Sequence, residues 1–188
     1  WCDQHGQQAR QHVAAAAEEQ PDEADHRNRR GHGRHDRGGQ DVAVADLFLR
    51  ATIPYFPQGT VHLAVVDPGV GSMRRAIAVE TSRAWFVAPD NGLLTSALEV
   101  LGVSRTAVLT ESAYHLSDVS QTFHGRDVFA PVAGHLASGV DLRELGPPCD
   151  GLTRMSDGRP RKACGTLLGR VMFADRFGNL VTNIGPHD

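Results

Sequence analysis

The sequence predicts an α/β fold, and three observations predict it. An aliphatic run of strand length over residues 60–66 reaches a carboxylate, Asp67, and breaks into Pro68-Gly69-Val70-Gly71, which neither strand nor helix continues through. Ahead of it, Val44, Leu47, Phe48 and Ala51 recur at i, i+3, i+4 and i+7, the stripe of an amphipathic helix. Behind it, short β-branched runs are interspersed with further helical patterns. This order sets Asp67 at the carboxyl end of a buried strand, where open α/β sheets bind their ligands. A glycine loop and two arginines, Arg74 and Arg75, follow it. On these residues alone, a turn-capping Asp67 with solvated arginines is slightly the better reading.

The 188 residues allow one domain with a real core, or one domain and the start of another. A net charge of -3 gives no electrostatic case for binding nucleic acid or an anionic membrane. No apolar run reaches bilayer length and no signal peptide is legible, which points to a soluble, cytoplasmic protein. Cys2, Cys149 and Cys164 are odd in number, far apart and outside any C-x-x-C pair, so they support neither a disulfide framework nor a zinc site. Lys162 is the only lysine, which we read as coding bias in a GC-rich genome.

Residues 1–40 differ in kind. They contain no Leu, Ile, Phe, Met or Tyr and are dominated by Gln, Ala, Arg, Asp, Gly and His, too little apolar surface to offset chain entropy. Disorder is expected there, with one short helix over 13–20. His5, His12, His26, His32 and His35 invite a metal hypothesis, but their spacing fits no closed site and a solvated tail is the better account. The first residue is Trp1 and not Met, so the natural start is expected to lie elsewhere.

From Asp41 the composition changes. Asp41 is placed to cap the first helix and Pro54 to mark its end. Residues 76–80 and 84–88 read as two short strands joined by Thr81-Ser82-Arg83. Pro89-Asp90-Asn91-Gly92 is a strong turn signal, residues 93–101 are helical in pattern, and Gly102 is their stop. Asp90 and Asn91 could contact a polar ligand from this turn, or simply hydrogen-bond their own backbone. A strand at 107–109 precedes a polar connection through Tyr114 and His115. Val128, Phe129, Val132 and Leu136 then share a helix face, with Gly139 as the stop. His124 falls immediately ahead of that helix, able to accept a proton, whereas His135 sits within it and reads as structural.

Four stretches carry a resemblance. Val65-Val66-Asp67-Pro68-Gly69-Val70-Gly71-Ser72, Ala88-Pro89-Asp90-Asn91-Gly92-Leu93-Leu94-Thr95, Thr122-Phe123-His124-Gly125-Arg126-Asp127 and the run from Asp175 to Ile184 occur in that order. Together they resemble the S-adenosyl-L-methionine (SAM) hydroxide adenosyltransferases, SAM hydrolases related to the bacterial fluorinase and chlorinase. The resemblance implies an N-terminal Rossmann-like α/β domain followed by the start of a small β-barrel-like domain. It also implies water attacking ribose C5′, with adenosine and L-methionine as products. SAM is then the substrate, no cofactor or metal is needed, and the full-length protein is a homotrimer. By motif position the family's Asp-Arg-His set falls on Asp67, Arg74 and His124. Asp67 would orient and partly neutralise the pair, while Arg74 and His124 polarise or deprotonate the water. Which group finally holds the proton stays open. Asp175 would hold the methionine amino group, Phe177 would pack near the nucleoside and Asn179 would hydrogen-bond the adenine edge, with Phe123 and Asn91 as further substrate contacts. His124-Gly125 after Phe123, with Asp67 and Arg74 both present, is the hydrolase pattern and disfavours a halogenase.

The expected organisation is a disordered or mistranslated tail (1–40), an incomplete α/β domain (41–144), a Pro/Gly/Arg-rich linker (145–164) and the start of a β domain (165–188), with a hairpin formed by 167–174 and 179–184. Family members begin with a strand and an Asp-Phe-Gly type loop that nothing in residues 1–40 resembles, as a frame-shifted start would produce. The chain also stops at Asp188, a few residues into the second domain. A fragment that neither folds stably nor turns over SAM is therefore the alternative. A nucleic-acid or metal-binding adaptor is weaker, since acidic residues are interspersed through the tail.

Overall fold

The computed structural model describes residues 13–17, 42–155, 160–175 and 177–185. Five strands form the main sheet: β1 (Val13–Ala17), β2 (Val61–Val65), β3 (Ala76–Glu80), β4 (Trp85–Pro89) and β5 (Arg105–Val108), in the order β1-β2-β4-β3-β5. β1, β2 and β4 run parallel, whereas β3 is antiparallel to both β4 and β5. The tight return from β3 to β4 closes on Thr81, whose hydroxyl donates to the Ala84 carbonyl at 2.7 Å.

Among the described residues three α-helices, α1 (Val42–Thr52), α2 (Thr95–Leu101) and α3 (Ala130–Ala137), cover the sheet. Every residue of β4 is buried, and their alternation divides the core. Phe86 and Ala88 face one cluster with Leu49, Ile53 and Leu98 from the α1 and α2 side. Trp85 and Val87 face the other, with Phe129, Val132 and Leu136 from the α3 side. A strand covered on both faces reads as a continuous apolar run, as β4 does.

Three expectations are corrected. The short helix over 13–20 is replaced, over Val13–Ala17, by a strand paired in register from Val13↔Val61 to Ala17↔Val65. The unpaired backbone groups along β2 outweigh the weak helical preference of an isolated alanine run. The remainder of residues 1–41, including Asp41, Cys2 and the tail histidines, lies outside the described residues. Second, α1 turns its other stripe inward: Asp46 and Leu49 are buried, with Val42 and Ala45 against the same cluster, while Phe48 is 53% exposed and Ala51 is exposed. Asp46 made that stripe look polar. Its carboxylate accepts from the Ser96 amide at 2.8 Å and hydroxyl at 2.5 Å, which satisfies it inside, although burial still holds its pKa above the usual carboxylate range. Third, residues 167–174 are not one strand. They break at Gly169 into β7 (Thr166–Leu168), which pairs with β6 (Arg161–Ala163), and β8 (Val171–Ala174), which pairs with β9 (Leu180–Thr182). Gly169 has no room for a side chain, since a Cβ would lie 2.5 Å from Ile184.

Candidate functional site

Asp67 stands just beyond the carboxyl end of β2, and the chain returns to the sheet at β3 through the glycine loop. The loop brings Arg74 back onto the carboxylate. Nε of Arg74 donates to Asp67 Oδ1 at 3.0 Å and Oδ2 at 2.8 Å, and Nη2 donates to Oδ2 at 2.5 Å. The side chains are 10% and 5% exposed, so this is a buried ion pair and not the turn cap with solvated arginines that the residues alone favoured. The guanidinium also lies 5.2 Å from the ring centroid of buried Phe129.

His124 completes the cluster. Its Nδ1 is 2.8 Å from Arg74 Nη2. A guanidinium has no acceptor, so Nδ1 must accept, and a neutral ring then carries its proton on Nε2. The loop before His124 approaches the glycine loop closely. Gly71 has φ +75°, and a Cβ there would lie 2.9 Å from the Gln121 carbonyl oxygen. Only glycine suits both the backbone and the approach.

The helix after His124 does not start as a regular α-helix. Gly125–Phe129 form a π turn leading into α3, with the Arg126 and Asp127 amides both donating to the Phe123 carbonyl at 3.0 Å. Such turns widen a helix locally and often accompany functional sites. Asp127 is fully buried and accepts from the Ser120 amide at 2.8 Å and Arg126 Nε at 2.6 Å. Arg126 beside it, then the Ser120 amide, hold its carboxyl below the usual range. It thereby fastens the loop that delivers His124. Sequence reasoning missed this role, although a carboxylate in the first turn of a helix is a recognisable signal. It also passed over His115, whose pKa is lowered by burial and by the neighbouring His124. Its Nε2 is buried without a hydrogen-bond partner among the described residues.

Phe123 is 53% exposed beside His124, with the Arg126 guanidinium 5.1 Å above its ring. Asn91 donates to the Val66 carbonyl at 2.8 Å, and its oxygen accepts from the Leu93 amide at 3.2 Å. Asp175, Phe177 and Asn179 gather at the turn between β8 and β9. Asp175 accepts from the amides of Phe177 and Asn179 and from Asn179 Nδ2, each at 2.8 Å, and Asn179 keeps its carboxyl below the usual range. Phe177 is 78% exposed, so it is not a core residue of this hairpin. The fold thus brings Asp67, Arg74 and His124 into one cluster and the hairpin residues into another.

The family model for the SAM hydroxide adenosyltransferase N-terminal domain matches residues 34–146. The chain belongs to the SAM hydroxide adenosyltransferase family. It is 46% identical over 143 residues to a (R)-S-adenosyl-L-methionine hydrolase of Salinispora tropica, covering 74% of this chain and 54% of that protein. It is 28% identical over 175 residues to a fluorinase of Actinoplanes, covering 79% and 59%. A crystal structure of an uncharacterized conserved protein from Thermotoga maritima superposes with a TM-score of 0.71 at 38% identity, over 80% of this chain and 58% of that one. The chain therefore spans little more than half the length of the relatives it matches, and the region it shares with them holds the Asp67, Arg74 and His124 cluster.

Proposed function

We propose that this chain carries the water-activating half of a SAM hydrolase, an enzyme that converts SAM to adenosine and L-methionine. The observation that supports it most is the cluster of the buried Asp67 and Arg74 pair with half-buried His124, linked through one guanidinium, at the carboxyl end of the sheet. Water attacks ribose C5′, a C5′–O bond forms as the C5′–S bond breaks, and the sulfonium leaves as neutral methionine thioether. Sulfonium needs no acid on departure, so what remains is to align the water and remove its proton. Asp67 fixes Arg74, and Arg74 N–H groups orient the water. The water's proton leaves as the C5′–O bond forms, and His124 takes it only when the Nδ1 lone pair turns from the Arg74 N–H that it accepts in this structure to the water. Phe123 packs against the substrate beside His124. Asp175 holds the methionine amino group, Phe177 the nucleoside and Asn179 the adenine edge. Their mutual hydrogen bonds fit this reading by holding the turn in one shape before a ligand arrives.

The wider proposal is a Rossmann-like α/β domain over 41–144, a connection over 145–164 and the start of a β-barrel-like domain from 165, assembled as a homotrimer in the full-length protein and acting in the cytoplasm. Higher identity to a hydrolase than to a fluorinase favours water over halide as nucleophile. The test is turnover of SAM in oxygen-18 water, with adenosine analysed by mass spectrometry. Adenosine labelled at its 5′ oxygen supports attack at C5′; unlabelled adenosine, or a 5′-halo product in chloride or fluoride buffer, contradicts it.

A further inference from the structure

We propose that the turn residues Asp90 and Asn91 are positioning residues for the Asp67 and Arg74 pair, gripping the glycine loop at both ends. The inference rests on the reading that Asp67, Arg74 and His124 carry the chemistry. Asn91 Nδ2 donates to the carbonyl of Val66, the residue before Asp67, at 2.8 Å. Asp90 Oδ2 accepts from Arg75, the residue after Arg74, through Nε at 2.8 Å and Nη2 at 2.5 Å. The Asp90 amide also donates to the Arg75 carbonyl at 2.9 Å. Two adjacent turn residues thus hold the two positions that flank the catalytic pair.

Between those positions the loop is tied to itself. Val70 N donates to Asp67 O at 3.2 Å, Ser72 N to Gly69 O at 3.0 Å and Arg74 N to the Ser72 hydroxyl at 3.3 Å. Successive side chains of extended backbone point to opposite sides, so Arg74 reaches Asp67 while Arg75 reaches Asp90. The turn is itself anchored. Asp90 is 7% exposed, and its Oδ1 accepts from the Thr153 amide at 2.8 Å. Arg75 donates to the carbonyls of Asp150 at 3.1 Å and Gly151 at 2.8 Å. Gly92, at φ +96°, has Met155 so close that a Cβ would lie 2.6 Å from its Cγ. The 147–155 segment, read from sequence as linker, is therefore the outer half of the clamp. Both ends of the Asn91 amide are engaged inside the protein, which suits a brace better than a substrate contact.

The test uses Asn91→Asp, which keeps shape and acceptor but loses the donor to Val66, and Asp90→Asn, which keeps the Thr153 acceptor but loses the charge on Arg75. Two variants on separate ties guard against misfolding of either one. Arginine side-chain NMR reads the Arg74 Nε–H that Asp67 accepts; we expect its exchange with solvent to be about tenfold faster or more in both variants. In SAM turnover we expect kcat to fall roughly tenfold to hundredfold with KM within about threefold, the signature of misalignment in the transition state. Unchanged Arg74 exchange overturns the inference, as does a raised KM with kcat kept, which would make Asn91 a substrate contact. If the unmodified protein lacks turnover while both variants accelerate Arg74 exchange, the hydrolase reading fails and the brace stands.

Discussion

His62 makes the stability of this fold depend on acid in a calculable way. It lies on β2, the strand that delivers Asp67, is 3% exposed, stacks on Phe86 with centroids 5.2 Å apart and meets Phe56 edge-on at the same distance. Burial lowers its pKa from 6.5 to about 4. The folded protein therefore binds this proton less readily than the unfolded chain does. His62 opposes folding at no pH above 6.5; below it, stability falls with pH, and the loss is complete once pH has passed below about 4. The full shift corresponds to about 3 kcal/mol at 1.36 kcal/mol per unit, of which about 2 kcal/mol is lost between pH 7 and pH 4.5, where the folded-state titration is not yet complete. Urea unfolding of the wild type and of His62→Phe, each at pH 7 and pH 4.5, isolates it, because the carboxylates titrate in both proteins. The wild type should lose about 2 kcal/mol more than the variant between the two conditions. Parallel losses would refute the assignment of a buried neutral imidazole to β2.

Other outcomes follow from the same geometry. Asp67→Asn leaves the Arg74 charge buried without its counter-ion and should cost about 3–5 kcal/mol in denaturant unfolding, together with most of any SAM turnover. Gly71→Ala places a side chain at positive φ against the Gln121 carbonyl, and a loss of about 1–3 kcal/mol should accompany faster amide exchange in both loops. Asp127→Ala should speed hydrogen exchange at the Ser120 amide while leaving α3 unchanged; protection retained at Ser120 would show that another group holds the loop.

The elements that follow period rules were legible in the sequence. β2, the β3 and β4 pair, α2 with its Gly102 stop and the Val132 and Leu136 face of α3 each announce themselves through spacing and punctuation. The inward face of α1 was not, because a single aspartate in the stripe looks like a surface residue until Ser96 is found opposite it. The Val13–Ala17 strand was hidden for a related reason: its pairing is supplied by β2, a partner distant in sequence. At the site, motif position singled out Asp67, Arg74 and His124, and the hydrogen bonds among them are what the motif alone does not display. The division of labour between Arg74 and Arg75 was illegible from composition, since it depends on which carboxylate each faces across the chain.

The role proposed for Asp67, Arg74 and His124 is the activation of water against SAM. The most direct measurement incubates the purified protein with SAM beside its Asp67→Ala and His124→Ala variants, following adenosine and methionine by chromatography. Equal amounts of both products from the wild type, with neither variant active while folded by circular dichroism, is the predicted result. A folded wild type that forms no adenosine, or variants that form it at the wild-type rate, would rule this role out.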